Sequence, residues 1–162
     1  MAEFKRETLV FKIYLENFKS KNIEKMIKKV WLNLPVKNIE ASKKFFLEIG
    51  FAFNEQHDTV HSTCLLVGDA NFVVMLFEET QFASCIQNKI TDTQSNSEIL
   101  ISIDAESREE VDEFAKKVEE ARGTVFAKPA ENQGWMYGCG FADLDGHRWN
   151  MLYMDFSKMP KQ

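Results

Sequence analysis

The sequence predicts an α+β fold made of two tandem β-α-β-β-β modules, and three observations carry that expectation. Apolar runs of strand length recur in the same order in both halves of the chain. In each half, the first run leads into a helix framed by a capping residue and a glycine stop: Asn38 and Gly50, then Ser107 and Gly123. The last two strands of the second half are joined by Asp145-Gly146, a pair suited to a tight reversal with positive φ.

Taken in order, residues 1–27 are rich in Lys and Glu, with Phe11, Tyr14, Leu15 and Phe18 at helical spacing. They read as an amphipathic helical extension without chemistry of its own. Module one spans 28–79. Val30 to Val36 is a strand ending near Pro35. A helix follows from Asn38, with Ser42, Phe45, Phe46 and Ile49 on one face. Strands are expected over Phe51–Gln56, Val60–Val67 and Phe72–Phe77, the last two separated by a Gly68-Asp69-Ala70-Asn71 turn. The linker is 80–97, with a short helix expected over Gln81–Ile90 and the polar run Thr91–Ser97 after it.

Module two spans 98–156 and the tail 157–162. Ile99 to Ile103 is a strand, and Ser107-x-x-Glu110 is a capping box opening a helix with Val111, Phe114, Ala115 and Val118 at 3.6-residue spacing. Aligning Val36 with Ile103 and Gly50 with Gly123 predicts a second helix longer by about two turns. Strands then follow over Thr124–Ala130, Trp135–Ala142 and His147–Met154.

Composition bounds the function. The 162 residues suit one compact domain or two small modules sharing a core, and 14 Phe imply an aromatic-lined interior. A net charge of −5 argues against nucleic acid as a partner and weakly favours cationic ligands. The three cysteines, Cys64, Cys85 and Cys139, are widely spaced without a Cys-x-x-Cys pair, which fits free thiols in a reducing cytoplasm. The longest apolar run, Phe72–Phe77, is too short to span a bilayer, so no membrane role is expected.

Three stretches together resemble the vicinal oxygen chelate superfamily, which includes glyoxalases, bleomycin resistance proteins, fosfomycin resistance enzymes and extradiol dioxygenases. They are Leu34-Pro35-Val36-Lys37-Asn38 running into the helix ending Phe45-Phe46-Leu47-Glu48-Ile49-Gly50-Phe51, then Gly134-Trp135-Met136-Tyr137-Gly138, then Asp143-Leu144-Asp145-Gly146-His147-Arg148-Trp149. The resemblance implies a half-open mixed sheet curled around a cavity, and a homodimer.

In metal-dependent relatives, ligands converge from inward-facing strand positions. Carried over one at a time, these positions fall at Trp31, Met75, near Glu98, and at Asn150. An indole cannot ligate, a thioether is too soft for magnesium or manganese, and an amide is a weak neutral ligand. Neither metal nor other cofactor is therefore expected. His57, His61 and His147 read as surface or turn residues, and Asp143 and Asp145 as residues of the turn.

Two function classes follow, and the residues leave both open. One is a binding module holding a small aromatic or cationic molecule through Trp31, Asn33, Met75, Phe77, Glu98, Trp135, Tyr137 and Asn150. The other is an enzyme: a metal-dependent lyase, isomerase or dioxygenase of the glyoxalase type, or a metal-free one with Glu98 as general base. Glu98 reads equally as a solvated carboxylate at a strand start.

Overall fold

The computed structural model describes residues 27–160, so the helix expected within 1–27 lies almost entirely outside the described residues. Residues 27–30 have no regular structure. From Trp31 onward the chain forms one compact unit.

Its elements run β1 (Leu32–Val36), α1 (Ile39–Glu48), β2 (Ala52–Phe53), β3 (Ser62–Val67), β4 (Phe72–Glu78), α2 (Glu79–Ile86), β5 (Leu100–Asp104), α3 (Arg108–Glu120), β6 (Thr124–Asn132), β7 (Met136–Ala142) and β8 (Arg148–Met154). The β-α-β-β-β order occurs twice. Each module folds into a four-stranded mixed sheet, in the orders β1-β4-β3-β2 and β5-β8-β7-β6. In both, the first strand lies parallel to the last and the rest are antiparallel. Where one half-open sheet was expected, the strands form two four-stranded mixed sheets accompanied by three helices, with no closed barrel among the described residues.

The local chemistry explains the boundaries. Asn38 caps α1 by accepting from the Ala41 N–H at 2.9 Å, and Ser107 caps α3 through the Glu110 N–H at 3.1 Å. Glu110 closes the capping box by accepting from the Glu106 N–H, one residue before the cap. The expected strand Phe51–Gln56 shrinks to Ala52–Phe53. Asn54 caps a 3-10 turn over Glu55–His57, and Lys43 of α1 anchors that turn by bridging Glu55 and Asp58 at 2.9 and 2.8 Å. The helix expected at Gln81–Ile90 begins directly at the end of β4 and ends at Ile86, where Gln87 turns left-handed.

The two main helices differ less than the sequence offsets imply. α1 has 10 residues and α3 has 13, less than one turn apart. The rest of the offset goes into the β5–α3 connection and the α3 terminus. At that terminus Arg122, not Gly123, takes the left-handed conformation, with φ 71°. Gly123 is needed for space instead, since a Cβ there would fall 2.7 Å from the Phe45 ring of α1.

One continuous core joins the modules. Phe45 and Phe46 of α1, Leu34 and Val36 of β1, and Leu76 of β4 pack with Phe114 and Val118 of α3 and with Phe141, Trp149 and Met151. The Phe46 and Trp149 rings lie 5.5 Å apart, linking first-module helix to second-module strand. Of the cysteines, Cys64 and Cys139 are buried in strands, with thiols pushed up by burial, while Cys85 is exposed. No helix among the described residues is long and apolar enough to cross a membrane.

Candidate functional site

Strand register sorts the predicted site residues by face. Alternate residues share a side, and Asn33 pairs with Met75 and Pro35 with Phe77. Asn33, Met75 and Phe77 therefore lie on one face of the first sheet, opposite the core face of Leu34, Val36, Val74 and Leu76, and Trp31 directly precedes β1. In the second sheet Leu100 pairs with Arg148, Ser102 with Asn150, and Gly140 with Asn150. Arg148, Asn150 and Leu152 thus share the face opposite buried Trp149 and Met151.

Two predicted residues fall elsewhere. Tyr137 pairs with Tyr153 on the core side of β7. Its hydroxyl donates to Asp112 of α3 at 2.8 Å, and the Arg108 guanidinium covers its ring. Trp135 sits in the turn before β7 with its ring 6.0 Å from Phe156. The structure does not bring either to the face that carries Asn150.

Glu98 is committed to a contact that sequence reasoning missed. Its carboxylate meets Nδ1 of His147 at 2.8 Å, while Nε2 of the same ring meets the Pro35 carbonyl at 2.7 Å. Both ring nitrogens face acceptors, so only the doubly protonated imidazolium satisfies both. Burial opposes that charge in a ring only 1% exposed. Asp143, the Pro35 carbonyl and Glu98 outweigh it and hold the His147 pKa above its ordinary 6.5. Far from being a surface or turn histidine, His147 staples β1 to the start of β5.

The surrounding turn works the same way. Oδ1 of Asp143 accepts from the backbone N–H groups of Asp145, Gly146 and His147 at 3.0–3.1 Å, and Oδ2 accepts from the Trp149 indole at 3.3 Å. Asp145 reaches into the other module, accepting from the Lys37 N–H at 3.0 Å and the Ser42 hydroxyl at 3.1 Å. Thr93 of the linker donates to the Asp145 carbonyl. The Asp143–Trp149 motif is therefore a structural clasp between modules, and its acids do more than shape a turn.

The four positions that would hold an ion do not fit one. Trp31 has no donor atom for a metal, Met75 offers only sulfur, Glu98 is engaged by His147, and Asn150 supplies one neutral oxygen. Among the described residues no three His, Cys, Asp or Glu side chains gather as a metal-binding group. Oδ1 of Asn150 is buried without a hydrogen-bond partner. Such an atom is costly to leave unsatisfied unless something donates to it.

Beside it sequence reasoning missed Phe126 and Arg148. The Phe126 ring lies over Gly140, where a Cβ would approach it to 2.5 Å, and the Arg148 guanidinium stacks 4.5 Å above that ring. With Leu100 and Glu98 they line an open recess of about 580 Å³. A larger cleft of about 730 Å³, lined in part by Phe51, Asp104, Glu113, Phe114 and Met151, contains none of the eight predicted residues. The alternation that paired Asn150 with Leu152 also put Arg148 on that face, so Arg148 was legible. Phe126 was not, because register shifts in β6 break the period there.

Comparison with known proteins agrees with this architecture. Residues 28–68 match the family described as Bleomycin resistance protein-like N-terminal. No curated protein matches the sequence. Among solved structures, a hypothetical protein from S. aureus is 36% identical, with a TM-score of 0.72, covering 79% of this chain and 95% of its own. A glyoxalase/bleomycin resistance protein/dioxygenase family enzyme from Burkholderia phytofirmans is 16% identical, with a TM-score of 0.66, covering 76% of this chain and 96% of its own. A genomically encoded fosfomycin resistance protein from Listeria monocytogenes is 18% identical, with a TM-score of 0.59, covering 82% and 98%. The family match over residues 28–68, together with twin β-α-β-β-β modules folded as in the glyoxalase/bleomycin resistance structures, supports the vicinal oxygen chelate superfamily for this chain.

Proposed function

We propose that the protein binds a small organic molecule carrying an aromatic or other apolar body, without a metal ion, on the sheet faces turned away from the core, which hold Met75 on the first sheet and Asn150 on the second. The observation that carries this reading is the replacement chemistry of those faces. Where the superfamily's ion ligands would stand are an indole, a thioether, an acid already paired with His147, and an amide with an unmet acceptor. Apolar groups with a few polar handles are the composition of a small-molecule site.

A second copy of the chain closes the site. Trp31 is 55% exposed directly before β1 of the first sheet, and Leu100 and Phe126 are 56% and 46% exposed on the second. Apolar side chains presented on both sheets favour association through those faces.

Calorimetric titration of chelator-treated protein against a panel of aromatic acids, amines and neutral compounds tests the reading. At least one member binds in the presence of chelator, and Trp31→Ala or Asn150→Leu weakens it. Binding or turnover that appears only on adding manganese, iron(II) or zinc would replace this reading with a metal-dependent glyoxalase-type enzyme.

A further inference from the structure

From the recess on the second sheet we infer that the ligand is an amphipathic anion, a carboxylate with an apolar or aromatic body. The inference rests on the proposed function and specifies its ligand class. It also reverses the preference for a cationic ligand that overall charge and Glu98 suggested.

Two features converge. Among the described residues Arg148 forms no salt bridge and no side-chain hydrogen bond; its one recorded side-chain partner is the Phe126 ring beneath it. Stacking holds the planar guanidinium in place and leaves its edge donors available for a carboxylate, which it can grip with two parallel bonds. The carboxylate that could have attracted a cation, Glu98, is held by His147 instead.

Leu100 and Phe126 then supply an exposed apolar floor for the ligand body. An arylalkanoic acid has both parts.

Calorimetric titration with 3-phenylpropionate, its methyl ester and phenethylammonium separates the contributions. 3-Phenylpropionate binds wild-type protein best. The ester, which keeps the ring but loses the charge, binds about ten- to a hundredfold more weakly. Arg148→Gln brings 3-phenylpropionate down to the ester's level, and its cooperative thermal unfolding shows that the variant is folded. Preferential binding of phenethylammonium, or equal binding of acid and ester, overturns the anion assignment while leaving the small-molecule reading intact. Failure of every member of this set and of the wider panel removes both.

Discussion

At the scale of single residues, the molecule turns on His147 and its two acids. The folded chain holds the imidazole proton more tightly than the unfolded chain, whose value is 6.5. The stabilisation is therefore fully present below 6.5 and is lost as pH rises through the higher folded value. Thermal unfolding followed on the alkaline side of neutrality shows Tm falling with pH in the wild type. In His147→Gln the curve starts lower and that slope is gone; an equally steep slope in the variant would assign the effect to another group. Asp145→Ala leaves the buried Ser42 hydroxyl and the Lys37 N–H without their acceptor. Denaturant unfolding of this variant shows a loss of about 2–4 kcal/mol.

These roles were only half visible in the sequence. The turn was legible from Asp145-Gly146, and Gly146 takes φ 96°. Nothing local announced that Asp145 binds residues more than 100 positions away, or that His147 bridges β1 and Glu98. Long-range polar pairing leaves no periodicity to read.

At the scale of elements, helix ends and strand phases were the legible part, because each depends on neighbours in sequence. Asn38 and Ser107 both serve as caps, and Asn38→Ala costs about 1 kcal/mol in chemical denaturation. The α3 terminus shows where such reasoning stops. Gly123 looked like the left-handed stop, yet Arg122 takes that conformation and Gly123 is kept small by Phe45 of the other module. Arg122→Gly accordingly stabilises the protein by about 0.5–1 kcal/mol, whereas Gly123→Ala destabilises it by more than that, since ring and methyl cannot both fit. If both substitutions proved neutral, the packing of α1 on the α3 terminus would be misassigned. Alternation along β1, β4 and β8 separated Asn33, Met75 and Asn150 from the buried core positions. Tyr137 and Trp135 did not, because sequence gives a strand's period without saying which phase faces the helix.

At the scale of the whole molecule, the repeat and the superfamily were readable from three stretches of sequence, while the assembly of the site was not. Asn33, Met75 and Phe77 lie on one sheet, with Trp31 directly before its first strand, and Asn150 lies on the other. The proposed closure by a second copy predicts a mass in dilute solution equal to that of two chains. Leu100→Lys, which places a charge in the apolar floor, shifts it toward one in analytical ultracentrifugation; a wild-type monomer at all concentrations would leave each half-site to work alone. What the superfamily contributes here is a scaffold with inward-facing strand positions. In the proposed reading, Trp31, Met75 and Asn150 stand where its metal chemistry requires oxygen and imidazole donors. Equilibrium dialysis of chelator-stripped protein against manganese and zinc tests that exchange directly. Metal-independent binding predicts no saturable uptake approaching one ion per chain, and one tightly held ion per chain, lost in Asn150→Leu, would contradict it.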